Sequence, residues 1–358
     1  MWACEKSSFH ERTQQIKISF PGPEAQVTAA SKEKVLDALG QAASKLCGEL
    51  SESLATVQKL DVPRAEATTS SLEAWKAFSL GDKALNEKGE AAALPYDQRA
   101  IELDLNFAMD YAAVGSDYFS LAELGRASEY FTKAFQLREH ASEREKLDIA
   151  AAYYSYVTGE LDKAAQTYQE SIESYTRDFR AYGNLGTIYG EQGQYEKAAE
   201  VTRQSVRLAP DNLTNYINLT NITLALQRFD EARQSIHEVQ ARKGDNSILR
   251  NAMYALAFLG ADSAAMEEPQ KWYAGKPEEN QGLALASDTE AYAGHVGKAR
   301  ELTKRAVDSA IRADSKENGA IWQANAALQQ AAYGNTAEAR QSAAFESREL
   351  LARMVLVL

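Results

Sequence analysis

The chain has 358 residues and a formal net charge of −12, from 39 basic and 51 acidic residues. This acidic balance argues against a general nucleic-acid surface, which needs an excess of basic residues. Cys4 and Cys47 are the only cysteines and make no disulfide framework, which favours a reducing, cytoplasmic compartment. No run of 18 apolar residues is present, so we expect no segment that spans a membrane.

The first 30 residues are predicted to be a leader, partly disordered, with one short strand. Residues 1–13 are polar and without periodic pattern, which is typical of disorder. Gln15 to Phe20 alternates apolar and polar side chains, which predicts a strand. The Pro-Gly-Pro sequence directly after it is expected to end that strand.

Residues 31–73 are predicted to hold one amphipathic helix and a linker. Ser31 is a suitable N-cap, and apolar residues then recur every three or four positions up to residue 58. Those residues are Val35, Leu36, Leu39, Ala42, Ala43, Leu46, Leu50, Leu54 and Val57. Either the region is a loose leader whose helix packs on the next part of the chain, or it is the tail of a domain whose other strands are absent. The apolar face needs a partner, which favours the second interpretation.

The stretch from Arg180 to Pro210 carries the best-defined pattern in the chain. Each half places small and apolar residues on one helix face. These residues are Tyr182, Leu185, Gly186 and Tyr189 in the first half and Ala198, Thr202, Ser205 and Val206 in the second. Gly193 is suited to a left-handed turn between two helices, and Pro210 ends the second helix. The small Gly186 and Ala198 are expected to let the two backbones approach closely.

A period of 34 residues extends this pattern in both directions. Gly159, Gly193 and Gln227 share the turn position. Two earlier units contain Gly81 and Gly115, and three later units centre on Gly260, Gly294 and Gly334. We therefore predict eight helical hairpins between residues 74 and 358. The pattern resembles a tetratricopeptide repeat, which is a helix-turn-helix of 34 residues with small and aromatic residues at set offsets. The resemblance implies an all-α fold, a right-handed superhelical solenoid of about eight such hairpins after the leader strand and helix.

Three departures from the repeat pattern carry structural expectations. Asp97 occupies a position that is usually aromatic, and Ala141 to Arg144 is expected to lengthen one connection. Pro269 falls inside the second helix of the sixth hairpin, where a proline costs about 3 kcal/mol. We therefore expect a kink or break between Glu267 and Lys271.

Residues 25–344 also resemble the repeat-rich C-terminal region of some large bacterial serine/threonine protein kinases. The likeness rests on KEKVLDALGQAASKL, on AEATTSSLEAWKAFSLG and on the array of repeats after them. It implies a sensory or scaffolding region. The glycine-rich loop, HRD and DFG sequences of a kinase are missing from the chain, and the four histidines lack the spacing of metal ligands. We therefore expect a non-catalytic chain without a cofactor or metal site.

The inner wall of such a superhelix, lined by the first helix of each hairpin, is the usual binding surface. The sequence predicts a mixed groove there, with apolar walls and two cations, suited to an extended or helical peptide of some acidic character. Its residues are Lys146, Ile149, Tyr153, Arg180, Thr187, Ile217 and Asn221. A clamp for a peptide carboxylate, known in some tetratricopeptide proteins, is not expected because most matching positions lack charged or amide groups. A merely solvated face remains the alternative.

Two functions are consistent with these observations. The first is a protein-interaction scaffold that binds a peptide or partner domain in the concave groove. The alternative is a regulatory region of a bacterial serine/threonine kinase or a transcription regulator, separated from its catalytic or DNA-binding domain. The helix predicted before the array motivates this alternative.

The C-terminus is predicted to expose an apolar edge. Leu351, Met354, Val355 and Leu358 recur at helical spacing and form one stripe between Ser347 and the last residue. We expect this stripe to pack back on the seventh and eighth hairpins or to pair with a second copy in a homodimer.

Overall fold

The computed structural model describes residues 14–19, 24–29 and 69–343, with seven further positions between 34 and 45. The strands are β1 (Gln14–Ser19) and β2 (Glu24–Ala29). The helices are α1 (Leu72–Lys88), α2 (Glu90–Leu103), α3 (Ala108–Ser120), α4 (Leu124–Leu137), α5 (Glu143–Tyr153), α6 (Leu161–Ser174), α7 (Phe179–Glu191), α8 (Tyr195–Leu208), α9 (Leu213–Ala225), α10 (Phe229–Ala241), α11 (Ser247–Leu259), α12 (Ser263–Tyr273), α13 (Glu279–Tyr292), α14 (Val296–Arg312), α15 (Lys316–Ala332) and α16 (Thr336–Ala343).

The predicted strand belongs to a β-hairpin. β1 pairs antiparallel with β2, with Gln14 opposite Ala29 and Ser19 opposite Glu24. The strand at 15–20 is thus confirmed to within one residue, but the expectation that it lacks a partner is wrong. Residues 24–29 alternate apolar and polar side chains and form the second strand. Residues 1–13 lie outside the described part of the chain.

The segment after the hairpin packs on the array. Its described positions between 35 and 45 are helical, as predicted. Val35 and Ala38 form a buried cluster with Ala29, and Leu72 at the start of α1 packs against it. The remainder of the predicted helix up to residue 58 lies outside the described residues, as does the C-terminal stripe at 347–358.

The sixteen helices between residues 72 and 343 pair in chain order as eight hairpins, from α1–α2 to α15–α16, which confirms the predicted number. First helices of successive hairpins also contact one another, as α3 does α5, α7 does α9, and α9 does α11. A row of first helices in mutual contact lies on the inside of the curve, because hairpins converge there. The first helices therefore form the concave layer of a solenoid.

The turns keep the 34-residue period even where glycine is missing. Gly159 and Gly193 have φ of 72°, and Gln227 has φ of 57° at the equivalent position. In the sixth hairpin the left-handed residue is Ala261, with φ of 53°, rather than the expected Gly260. The left-handed turn is thus set by the geometry of the hairpin, and a side chain is tolerated there at a cost in strain.

Gly186 allows α7 and α8 to pack closely, as predicted. A Cβ atom built on Gly186 would lie 2.1 Å from Thr202 Oγ1 and 3.3 Å from the carbonyl oxygen of Ala198. Gly190, one turn later in α7, has no such neighbour within 4 Å. Two glycines of one helix thus differ only in what surrounds them.

We expect Gly186→Ala to destabilise the chain by about 1–3 kcal/mol, because the added methyl group overpacks the α7–α8 contact. Gly190→Ala should instead be neutral or stabilising by up to about 1 kcal/mol, since alanine favours the helix. Thermal unfolding followed by circular dichroism would compare the two variants. Equal melting temperatures would contradict this account of the packing.

Helix α12 runs from Ser263 to Tyr273 without interruption, so a break between Glu267 and Lys271 is wrong, while a kink there stays a prediction. Pro269 is itself buried. Tyr273, four residues later, is 1% exposed and donates its hydroxyl to the carbonyl oxygen of Ser247 at 2.7 Å. This anchored tyrosine and the burial of the proline ring offset the missing backbone hydrogen bond.

The third hairpin contains a π-turn that the sequence did not predict. It spans Tyr154–Thr158, directly after α5. The left-handed residues Ala122 and Gly159 are 37 positions apart, three more than the usual period. Sixteen positions separate Glu143 from Gly159, against fourteen from Phe179 to Gly193, so the π-turn holds two of the extra residues. The expected lengthening at 141–144 accounts for only one.

The second hairpin reaches across the solenoid to the seventh and eighth, in what we term the closing contact, between residues 121–126 and 314–318. The amide nitrogen of Gly125 donates to both carboxylate oxygens of Glu317, at 2.9 and 2.8 Å. Arg126 pairs with Asp314 at 2.7 Å. The solenoid therefore closes on itself, which sequence periodicity alone does not indicate.

Candidate functional site

The predicted groove residues separate into two groups in the structure. Thr187 and Asn221 lie at equivalent positions of the neighbouring first helices α7 and α9, half-buried and exposed respectively. By contrast, Ile149 is 1% exposed and Ile217 is 6% exposed, each within a core cluster. The expectation that these two isoleucines line the groove is therefore corrected. Their side chains pack between helices because they stand on the inward-facing stripe of each helix.

Tyr153 is a packing residue on the side of α5. Its ring stacks on Phe135 of α4, with centroids 4.1 Å apart and an angle of 15° between planes. Arg138 also lies over Phe135, with its guanidinium carbon 3.9 Å from the ring centroid. Lys146 pairs with Glu143 at 2.9 Å and with Glu139 at 3.3 Å, and these bonds raise the pKa of its ammonium group. Lys146 is thus held locally by two carboxylates.

Arg180 is the centre of a charged cluster, defined by Asp82, Arg144, Asp148, Asp178 and Arg180. Its Nη2 atom lies 2.7 Å from Oδ1 of Asp82 in α1, 98 residues earlier in the chain. Asp178 is the N-cap of α7, accepts a hydrogen bond from the Arg180 amide and lies 3.4 Å from Nε of Arg144. The cluster therefore joins the first turns of α5 and α7 to α1.

Arg144, which the sequence pattern did not indicate, is the structural equivalent of Arg180. Each is the second residue of its helix, two positions after the N-cap. The 34-residue period aligns Lys146, rather than Arg144, with Arg180. The alignment is wrong by two residues because the π-turn lengthens the distance from the start of α5 to Gly159. The capping box of Ser142 and Glu145 fixes where α5 begins and could have revealed the shift.

Asp148 is buried inside the charged cluster. Burial raises its pKa to about 7, and the nearby carboxylate of Asp178 adds to this effect. Arg144 and Arg180 act in the opposite direction. Asp148 therefore changes charge near neutral pH, and its ionised form depends on the two arginines.

A second acidic group, the buried carboxyl cluster, lies between the first two hairpins and consists of Asp97, Asp110 and Asp117. All three are at most 3% exposed, and the carboxyl oxygens of Asp110 lack a donor in good hydrogen-bond geometry, although the nearby backbone of Ile101 lowers its pKa. Burial is the main cause that raises all three pKa values, to about 9 for Asp110. The charge of Asp97 raises the pKa of Asp110 and of Asp117 further, whereas a hydrogen bond with Asp117 lowers the pKa of Asp97. Asp110 and Asp117 are therefore neutral in the folded chain at physiological pH.

Within residues 69–343 and the earlier described positions, no group of histidine, cysteine and acidic side chains is arranged to hold a metal ion. In the same part of the chain, no helix is long and apolar enough to cross a membrane. The candidate functional site is therefore the concave face of the first helices, together with the charged cluster around Arg180.

These hairpins define a tetratricopeptide-repeat solenoid. Residues 179–212, which comprise the fourth hairpin, match the family of the tetratricopeptide repeat. A solved structure, the APC/C hetero-tetramer Cut9-Hcn1, matches with a TM-score of 0.54 at 12% identity, over 90% of this chain and 59% of that chain. At this identity the likeness concerns the fold alone.

Two relatives match parts of the array. The Photosystem I assembly protein Ycf3 of Rippkaea orientalis is 27% identical over 144 residues, which cover 36% of this chain and 80% of that protein. The BBSome complex member BBS4 homolog of Drosophila melanogaster is 24% identical over 161 residues, 43% of this chain and 33% of that protein. Both matches leave more than half of this chain uncovered.

Proposed function

We propose that the chain is a non-catalytic protein-interaction scaffold that binds a peptide or partner domain on its concave face. The observation that carries this proposal is the layer of first helices, in which α7 contacts α9, with Thr187 half-buried and Asn221 exposed at equivalent positions of these two helices. Peptides bind such helical grooves through a few anchoring side chains. Binding on this surface requires no catalytic group.

The relatives support the same class of function. One carries the name of an assembly protein and another that of a member of a complex, and the solved structure of similar fold is part of a hetero-tetramer. Each of these names describes association between proteins. We extend this to the present chain only as binding of a protein partner.

The regulatory role beside a kinase or a DNA-binding domain stays a prediction. The helical residues at 35–45 that pack on α1 are consistent with a segment that links the array to another domain. Inspection of the reading frame upstream of Met1 for a kinase or DNA-binding domain would test this alternative.

Photo-cross-linking tests the scaffold. A benzophenone amino acid placed at Asn221 should capture a partner in the source cell, because this position is exposed on the concave layer. The same group at Asp230, fully exposed on the second helix α10, is the matched control. Asn221→Arg should reduce recovery of that partner at least tenfold, while Asp230→Arg should leave it unchanged. Capture from position 230 alone would refute the concave face as the binding surface.

A further inference from the structure

One face of α1 covers the first turns of three successive hairpins. Asp82 meets Arg180 of α7 at 2.7 Å, and Asn86 Oδ1 accepts a hydrogen bond from the Leu213 amide of α9 at 2.9 Å. A Cβ atom built on Gly89, directly after α1, would lie 2.8 Å from Asn246, the N-cap of α11. Asp82 and Asn86 are four residues apart and share one face of α1, and Gly89 follows as the C-cap of that helix with φ of 85°.

The chemistry of this contact is complementary. The surface presents the Arg180 guanidinium group of α7 and the Leu213 amide at the N-terminus of α9, both of which favour negative charge or acceptor oxygens. This face of α1 supplies a carboxylate and an amide oxygen at matching places. Leu85 of α1 adds apolar contact near Leu213 and Ile217. The surface is thus specific for a helix with acceptor groups one turn apart.

The ion pair between α1 and this surface is nevertheless weak. The side chains of Asp82 and Arg180 are 54% and 36% exposed, and ion pairs of such exposure contribute little to stability. Glu90, at the start of α2, is buried, and the nearby carboxylate of Glu278 adds to the burial that raises its pKa. A small cleft lined by Leu85, Leu213 and Ile217 remains between the elements. The first hairpin therefore lies close against the surface at Gly89, whereas the ion pair that links α1 to α7 is exposed to solvent.

We infer that α1 is an internal, displaceable occupant of this surface, and that the partner supplies an acidic helix in its place. The partner helix carries a carboxylate, an acceptor side chain four residues later and a small residue three positions beyond. This inference rests on the proposed scaffold function and names its partner class. Arg180, predicted from the sequence to bind an acidic peptide, already binds one from its own chain.

The test uses the full chain and a fluorescein-labelled, capped peptide of residues 72–90. Asp82→Lys should open the surface by placing two cations together, while Asn86→Ala removes the second contact without a charge change. We expect the peptide to bind both variants at least tenfold more tightly than it binds the unmodified chain, measured by fluorescence anisotropy. Asp230→Lys is the matched control for added charge and should bind as weakly as the unmodified chain.

Reversing the charge at position 180 tests whether the surface is specific for an acidic helix. Arg180→Glu in the full chain should lose the native peptide and should gain a peptide that carries lysine at position 82. Increased hydrogen exchange at residues 211–216 in Asn86→Ala should report release of the Leu213 amide, provided that circular dichroism shows an unchanged helix content. Equal peptide affinity for all variants would overturn the inference. If the Asn221 cross-link persists in that case, the scaffold function stands and only this partner class falls.

Discussion

The chain should be more stable at pH 5.5 than at pH 8.5, because the buried carboxyl cluster must stay protonated in the fold. The pKa of an aspartate in an unfolded chain is about 3.9, whereas burial raises the pKa of Asp110 to about 9. Because the pKa of Asp110 is raised in the folded state, the contribution of this residue to the free energy of unfolding is complete below about pH 4. That contribution is lost as the pH rises through about 9. Each unit of pKa difference corresponds to about 1.4 kcal/mol, so the loss amounts to several kcal/mol.

Asp110→Asn isolates this effect, since asparagine has the same shape without the charge. We expect the variant to raise the melting temperature by several degrees at pH 8.5 and to change it little at pH 4. Asp308→Asn, at an exposed position of α14, is the control and should have no effect at either pH. A melting temperature of Asp110→Asn that is unchanged or lower at pH 8.5 would show that the carboxylate is stabilised by a partner.

Glu317→Arg should open the closing contact. The native carboxylate accepts from the N-terminal amide of Gly125 in α4, where a negative charge is favoured by the helix dipole. An arginine would leave that amide without its acceptor and place a second cation beside Arg126. A hydrogen bond to a charged group contributes about 1.5–3 kcal/mol to stability. We therefore expect the free energy of unfolding to fall by an amount of this order.

Small-angle X-ray scattering would measure the opening as an increase in the radius of gyration. Glu301→Arg, exposed on α14, makes the same charge change away from the contact and should leave the radius unchanged. The contact has further bonds, because Ser315 donates to Glu123 at 2.7 Å and Asn318 to the carbonyl oxygen of Leu121 at 2.6 Å. If Glu317→Arg keeps the compact radius and the native melting temperature, these remaining bonds hold the contact alone.

Features that recur in every hairpin of the solenoid can be predicted from the sequence, whereas features that occur in a single hairpin cannot. The period of 34 predicts eight hairpins and the left-handed turn at Gln227, because the same hairpin geometry recurs along the chain. The π-turn at 154–158 is missed because two inserted residues leave the apolar pattern on either side intact. The error at Lys146 results directly from that insertion.

The contacts that define the candidate site are long-range and have no periodic signal. Asp82 and Arg180 are 98 residues apart, and nothing in either local sequence indicates the other. Asp97 stood out as a departure from the repeat, but its burial with Asp110 and Asp117 depends on how two hairpins pack. The sequence of a single chain therefore predicts the hairpins but not the long-range contacts between them.

Closure also has a consequence for the order in which the chain folds. A linear array has only near-neighbour contacts, so it can nucleate at any hairpin and grow outward. The bond between Gly125 and Glu317 joins residues 192 positions apart, and the entropy of such a long loop is lost only once both hairpins exist. We therefore expect the second hairpin to dock on the seventh and eighth last, after the intervening helices have formed. The closing contact adds a late, topologically demanding step to an otherwise local folding process.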